Sequence, residues 1–136
     1  MTRKKARDLT FKLIYQTDMQ NEVPENIMDV FLLENNISEE ATEYVNDVLF
    51  GVFKNKDFID STISKFLEGW RFERVARISL NALRLSIYEI FYRDDIPAGV
   101  SINEAVDIVK TYLTDEDASF VNGVLSSILK SKQKGK

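Results

Sequence analysis

A basic and aromatic cluster opens the chain and has the composition of RNA-binding surfaces. On a helix, the spacing places Phe11 and Tyr15 each within about 20° of Lys4. Cationic side chains neutralise phosphates, and a ring stacks on an unpaired base for about 1–3 kcal/mol. The alternative is that Phe11 and Tyr15 belong to the core. The candidate RNA-binding residues of this segment are Arg3, Lys4, Lys5, Arg7 and Tyr15.

A second concentration of arginines follows Gly69-Trp70, at Arg71, Arg74, Arg77 and Arg84. Arg74 and Arg77 are further candidates for RNA contact. The alternative is a salt-bridging helix face, because acidic residues stand nearby in the sequence. Arg84 differs, since it lies between two leucines in an apolar helix, and it is predicted to pair with an acid from another helix.

The composition argues against an enzyme. The sequence contains no Cys and no His, which excludes thiol nucleophiles, disulfides and imidazole bases. The paired carboxylates at Glu39-Glu40 and Asp115-Glu116-Asp117 stand at helix starts, where acids complement the helix dipole. There is no Gly-rich phosphate loop and no metal-binding cluster. We therefore predict no catalytic residue, no metal and no cofactor.

The charges are segregated along the chain, although the net charge is only −4. No Lys or Arg occurs between Leu13 and Phe53, and that stretch is rich in Asp and Glu. A local basic face can bind phosphate while the acidic remainder limits non-specific binding. No window approaches the roughly 20 apolar residues of a membrane span, and polar residues interrupt any signal peptide. A cytoplasmic protein with no membrane association is therefore expected.

The elements that must position these side chains are helices. Hydrophobic residues make up 44% of 136 residues, with only five Gly and two Pro, which favours an all-α fold of about seven helices. Short connections predict two small abutting antiparallel bundles, at about residues 1–68 and 69–131, followed by a disordered tail at 132–136. The whole chain, 1–136, is expected to act as one RNA-binding domain.

Several helix boundaries carry recognisable signals. The first helix is predicted from Arg3 to Gln20, and Pro24 suits the start of the second. Ser38 is a predicted cap of the third helix, and Ser79 of the long helix after a short basic helix at 71–77. Ser101 to Glu104 is predicted to open another helix as a capping box. Gly123, within the last helix, is interpreted as a site of close helix packing.

Four different segments, spread along nearly the whole chain, stand in a characteristic order. They are the basic start with Leu13–Asp18, the helix segment Ala82–Glu89, the stretch Ile96–Lys110, and Phe120–Leu125. In this order and spacing they resemble the NusB family of transcription antitermination factors. The last two motifs are the most specific.

The resemblance implies an adaptor that binds the boxA element of nascent RNA together with NusE, a small-subunit ribosomal protein. It also implies action on the RNA polymerase elongation complex in ribosomal RNA operons, and in some members a homodimer. By position, the expected NusE-binding residues are Tyr112, Glu116 and Phe120. Where the family usually has an acid and then a basic residue, this chain has Ser79 and Leu80.

Two rival functions remain at this point. One is a protein-binding helical module whose basic ends only aid solubility. The other is a fragment of an RNA-modifying enzyme, because the same domain occurs fused to an RNA methyltransferase in relatives; no cofactor-binding segment is found in this chain.

Overall fold

The computed structural model describes residues 1–135, and these residues form seven α-helices and one 3-10 turn, with no strand. The predicted all-α class is confirmed. Within the described residues, no helix combines the length and apolar character needed to cross a membrane. The helices are α1 (Arg3–Gln20), α2 (Pro24–Glu34), α3 (Glu39–Lys54), α4 (Lys56–Lys65), α5 (Arg77–Tyr92), α6 (Ala98–Tyr112) and α7 (Asp115–Lys134), and the 3-10 turn is Phe72–Arg74.

The chain divides into two compact units, unit 1 at Met1–Lys54 and unit 2 at Asn55–Lys136. Helices α1, α2 and α3 form unit 1, and α4 to α7 form unit 2. The division therefore falls before α4, whereas the sequence placed it near residue 68. The physical reason is that α4 packs on α5 and α7, and its Asp60 pairs with Arg84 of α5.

In unit 1, α1 contacts both α2 and α3. Helix α1 starts where the Oγ1 of Thr2 accepts a hydrogen bond from the backbone N–H of Lys5, and it ends at Asn21 in the left-handed conformation, with φ of 52°. Helix α3 begins beside Ser38, whose Oγ accepts from the N–H of Ala41, so the predicted cap is confirmed. The core side chains of this unit include Phe11, Ile14, Ile27, Phe31, Tyr44, Val45, Val48 and Leu49.

In unit 2, α5 is the central helix, because it contacts α4, α6 and α7. All its residues from Ser79 to Ile90 are buried. Such a helix needs apolar residues around its whole circumference, and this explains why its hydrophobic pattern is nearly continuous. The buried side chains of the surrounding helices include Ile59, Ile63, Ile102, Val109, Val121, Leu125 and Ile128.

Two predicted helix starts were wrong. Helix α5 begins at Arg77 after the N-cap Ala76, so Ser79 lies inside the first turn, and the short basic helix is only the 3-10 turn. Helix α6 begins at Ala98 after Pro97, so Ser101 is not a cap. The Oγ of Ser101 is buried and donates to the carboxylate of Glu89 at 2.7 Å, a tertiary contact that a local capping pattern cannot indicate.

The last helix is well capped and longer than expected. At its start, the Oγ1 of Thr114 accepts from the N–H of Asp117, whose carboxylate accepts from the N–H of Thr114, forming a capping box. The helix continues to Lys134, beyond the end near residue 131 that the sequence predicted. Lysines suit the final turn of a helix, where they complement the dipole. Of the predicted tail, Lys136 lies outside the described residues.

Candidate functional site

The cationic side chains at the start of α1 differ in their exposure to solvent. Lys4 and Lys5 are exposed, and Arg3 is half-buried. The guanidinium carbon of Arg3 lies 4.7 Å from the centroid of the Tyr44 ring, a cation–π distance. Tyr44 belongs to α3 and is fully buried, so it supplies a fixed surface that holds Arg3. The exposed positive charge of α1 is therefore carried mainly by the two lysines, with Arg3 pre-positioned beside them.

Arg7 lies deeper than its neighbours in the sequence. Only 2% of it is exposed, and its guanidinium carbon is 5.9 Å from the centroid of the same Tyr44 ring. Burial of a guanidinium is costly unless other groups compensate its charge. Arg7 thus occupies a core position in unit 1, beneath the exposed lysines of the basic start.

The two aromatic candidates of α1 separate in the structure. Phe11 is 3% exposed and belongs to the core, as the alternative interpretation held. Tyr15 is half-buried, and its ring centroid lies 6.3 Å from that of Phe11 with an interplanar angle of 28°. Phe11 therefore supports Tyr15 from within the core, and Tyr15 is the ring that can reach a base.

The arginines of unit 2 occupy three different environments. Arg71 forms an exposed ion pair with Glu73 at 3.7 Å, as the salt-bridging alternative predicted. Arg74 and Arg77 are exposed. Arg84 is buried, and its Nε and Nη2 donate to the two carboxylate oxygens of Asp60, each at 2.9 Å. The predicted internal ion pair of Arg84 is confirmed, with its acid on α4.

A cavity of about 230 Å³ lies at the starts of α5 and α7. It brings together Glu116 and Phe120, two of the predicted partner-binding residues, and adds Arg74, which was predicted to bind RNA. Tyr112 is not among the residues that line it, although its side chain is exposed. Trp70 forms the rim, being 61% exposed with its ring centroid 5.8 Å from that of Phe120. The remaining lining residues are Val75, Ala76, Ser79 and Asp117.

Ser79 gives this cavity an unsatisfied polar group. The residue is 2% exposed, and within the described part of the chain its Oγ has no hydrogen-bond partner. A buried hydroxyl without a partner costs about 1–3 kcal/mol, so it favours any ligand that can bond to it. Leu80, the other departure from the family pattern, is fully buried in the core and cannot contact a partner directly.

A second cavity of about 280 Å³ shares Trp70 and Phe120 with the first and extends along α7 to Gly123. A Cβ placed on Gly123 would have no atom within 4 Å, and the residue is exposed. The interpretation of Gly123 as a site of close helix packing within the chain is therefore wrong. Its missing side chain leaves a shallow groove, which a partner can enter.

These surfaces have the chemistry of recognition. They present exposed ammonium and guanidinium groups, half-exposed rings and one unsatisfied hydroxyl. Among residues 1–135, no group of three or more carboxylates is placed to hold a metal ion. Tyr44 and Trp70 were not among the predicted site residues, and Ser79 was predicted only as a helix cap. Only Trp70 had a usable signal, because a tryptophan beside Gly69 at a predicted boundary is a typical exposed anchor of an interface.

Comparison with known proteins identifies relatives along the full length. Residues 4–130 match the sequence profile of the NusB family. The transcription antitermination protein NusB of Acetivibrio thermocellus is 44% identical over 132 residues, covering 97% of this chain and 91% of that protein. A NusB structure from T. maritima has a TM-score of 0.88 at 33% identity, covering 98% of this chain and 96% of that one. A chain from a crystal structure of antitermination factors NusB and NusE in complex with dsRNA has a TM-score of 0.84 at 32% identity, covering 96% and 99%.

Proposed function

The chain belongs to the NusB family, and from that membership we propose that it is a transcription antitermination adaptor. In this role it binds boxA-type single-stranded RNA jointly with the ribosomal protein NusE. The complex joins the RNA polymerase elongation complex and promotes processive transcription of ribosomal RNA operons. The adaptor contributes recognition and no catalytic step.

The observation that carries the RNA part of this proposal is the pair of exposed lysines on α1. Lys4 and Lys5 are exposed beside Arg3, whose guanidinium lies over the Tyr44 ring. Two exposed ammonium groups and a fixed guanidinium suit the phosphates of a single strand, and Tyr15 suits one unpaired base. Arg74 and Arg77 provide further phosphate contacts in unit 2.

Binding by the chain alone should be weak and sensitive to salt. With about four to eight cations engaged, the logarithm of affinity falls with the logarithm of salt concentration at a slope of about −3 to −6. A partner that adds its own contacts to the RNA is then needed for high affinity.

For the NusE part, the support comes from the two cavities that share Trp70 and Phe120. Their aromatic rim, the groove at Gly123 and the unpaired Ser79 hydroxyl form a surface with an apolar anchor and one polar group. Interfaces commonly place such anchors at their centre. Glu116 adds a charge that can select a basic partner side chain, and Tyr112 lies at the end of α6 as an additional contact.

Fluorescence anisotropy tests the proposal with three RNAs: a boxA-like single strand, a scrambled strand and a duplex. Each is titrated at two salt concentrations, with and without NusE. We expect NusE to tighten binding of the boxA strand more than that of either control. Equal binding of all three RNAs throughout would contradict the specific role, and absence of binding to any of them would leave a module that binds only proteins.

Matched variants separate the RNA surface from the partner surface. Lys4→Glu with Lys5→Glu should weaken boxA binding by at least about 10-fold, whereas Lys110→Glu, an exposed charge reversal on α6, should change it little. Trp70→Ala should weaken NusE binding and leave the affinity of the lone chain for RNA unchanged. Arg7→Glu is a poor test, because a buried charge reversal would destabilise unit 1.

Self-association is the remaining part of the proposal. Helix α2 exposes Val30 and Leu33, at 50% and 87% of their surfaces, which is a candidate contact for a homodimer. Sedimentation equilibrium of the wild-type chain and of Leu33→Asp decides whether such a dimer forms through this face.

A further inference from the structure

Unit 2 carries an aromatic cluster that the proposed function does not use. Phe58 at the start of α4 and Tyr92 at the end of α5 are each 45% exposed. Their ring centroids lie 6.4 Å apart at an interplanar angle of 81°. We call this pair, with the rings that support it, the aromatic platform.

The platform is held rigidly from below. Tyr92 stacks on Tyr88, which is 6% exposed, with centroids 4.9 Å apart and planes at 22°. Phe58 meets Phe91 edge to face at 5.3 Å and 82°. The two exposed rings therefore lose little conformational entropy when a ligand packs on them, which is the property that makes aromatic side chains effective contacts.

A cation from a third helix stands at the same place. The Nζ of Lys132 lies 5.6 Å from the centroid of the Phe91 ring. Lys130 and Lys134 are exposed at this end of α7, but each is about 200° around the helix from Lys132 and so lies on the opposite face. The lysines are about 15–20 Å along α7 from Phe120, at a rise of about 1.5 Å per residue, so the platform is distinct from the proposed NusE surface.

Two of the four nearby carboxylates are paired with cations. Asp60 pairs with Lys56 at 3.4 Å and with Arg84, and Asp95 pairs with Arg93 at 2.9 Å. Asp57 and Asp94 are exposed and reduce the local positive potential. The combination of exposed rings with lysines is the one that single-stranded nucleic acids select, because bases stack on rings while ammonium groups hold phosphates.

We propose that the aromatic platform is a second contact for single-stranded RNA, in which Phe58 and Tyr92 stack on an unpaired base and Lys132 binds a flanking phosphate. This inference extends the RNA-binding part of the proposed function to unit 2. Stacking tolerates any base, so the platform adds affinity without sequence preference. Because the platform has no sequence preference, it suits RNA that flanks a specific element rather than the element itself.

The test uses the full-length chain and a twelve-nucleotide oligo-uridine, which lacks a boxA sequence. Phe58→Leu with Tyr92→Leu removes both rings while keeping apolar side chains, and affinity should fall by about 10-fold. Phe58→Tyr with Tyr92→Phe keeps both rings and should bind like the wild type. Lys132→Gln should make the salt slope shallower by about 0.7, and Lys110→Gln should not. Urea denaturation of each variant checks that the fold is retained.

Each outcome is decisive. Wild-type affinity in the leucine variant overturns the inference, and so does an equal loss in the ring-retaining variant, which would assign the effect to packing. If the leucine variant weakens NusE binding but not RNA binding, the platform is a protein contact and the inference is also wrong. Failure of the proposed function looks different, because it is measured by the preference for boxA over the scrambled strand and by the Lys4 and Lys5 variant. Photocrosslinking of 5-bromouridine RNA to peptides containing Phe58 or Tyr92 would support the inference independently.

Discussion

Each unit of the chain buries one arginine, and the two are stabilised in different ways. In unit 2, Arg84 donates to both carboxylate oxygens of Asp60 and to the side-chain oxygen of Asn81. In unit 1, Arg7 lies against the face of Tyr44, which also carries Arg3. Arg84 thus meets an opposite charge, and Arg7 shares an aromatic face with Arg3.

The two arginines show that one residue type can be buried in different surroundings. A bidentate carboxylate pair cancels the charge of Arg84 and makes it a structural link between α4 and α5. Arg7 lies against an aromatic face that it shares with Arg3, and this face holds the half-buried guanidinium of Arg3 beside the exposed Lys4 and Lys5. Unit 2 thus uses its buried arginine to join two helices, whereas unit 1 buries its own within the basic start of α1.

The largest loss of stability is expected for Asp60→Ala, which leaves Arg84 buried without its counter-charge. Removing one partner of a buried pair costs about 3–5 kcal/mol, and we expect the lower end because Asp60 is 18% exposed. Urea denaturation measures the loss, with the exposed Asp57→Ala on the same helix as the control. A loss below about 1 kcal/mol would show that water replaces the carboxylate.

Arg7→Met tests what the buried arginine of unit 1 contributes to stability and to RNA affinity. It keeps much of the apolar volume and removes the charge facing Tyr44, and we expect a loss of about 2 kcal/mol in the free energy of unfolding. RNA affinity at low salt should fall less than in the Lys4 and Lys5 variant, because Arg7 is buried. The same denaturation and anisotropy assays measure both effects. An affinity loss that exceeds that of the lysine variant would mean that Arg7 leaves the core to contact RNA directly.

Helix caps provide a smaller comparison between the units. Thr114→Ala removes the capping box of α7 in unit 2, where the loss should be about 1 kcal/mol. Ser38→Ala removes a single cap bond at α3 in unit 1, and the loss should be about 0.5 kcal/mol. Thermal or urea denaturation ranks the two variants, and Ser64→Ala, at an exposed position on α4, is the control. A reversed order would mean that the start of α3 limits stability.

The smallest expected effect is the loss of folding stability at acidic pH that results from protonation of Glu22. In unit 1, the carboxylate of Glu22 accepts from the N–H of Val23 at 2.8 Å and from the side chain of Asn26 at 2.9 Å, and these bonds hold its pKa below the ordinary value of 4.5. A lowered pKa stabilises the folded state above pH 4.5, and this stabilisation is lost as the pH falls through the folded pKa.

Glu22→Gln should therefore be slightly less stable than the wild type at neutral pH, and the difference should shrink as the pH falls below 4.5. Carbon-detected NMR titration of the Glu22 carboxyl measures its pKa directly, and Glu25→Gln is the matched charge control. A pKa at or above 4.5 would contradict the expectation.

Much of the fold was readable from the sequence because its signals are local. Hydrophobic spacing and the scarcity of Gly and Pro predicted an all-α chain, and the bounds of α1 and the Ser38 cap followed from residues near each other in the chain. The failures occurred where a distant residue overrode a local pattern. Ser101 looked like a cap, but its hydroxyl bonds to Glu89 in another helix.

The candidate site was less predictable for the same reason. Arg7 and Lys4 look equivalent as cations in the sequence, yet only the packing of α3 on α1 buries one and exposes the other. The unsatisfied hydroxyl of Ser79 and the exposed rings of the aromatic platform also depend on neighbours from other helices.

By itself, then, the sequence determined the helical class, the segregation of charge, the presence of basic and aromatic residues on α1, and the family motifs. These properties depend on composition and on periods of a few residues. Only the tertiary structure decided which cations face solvent, which acid neutralises Arg84, and where cavities open beside Trp70. Burial and pairing arise from contacts between residues far apart in the chain, and no local pattern encodes the distances between them.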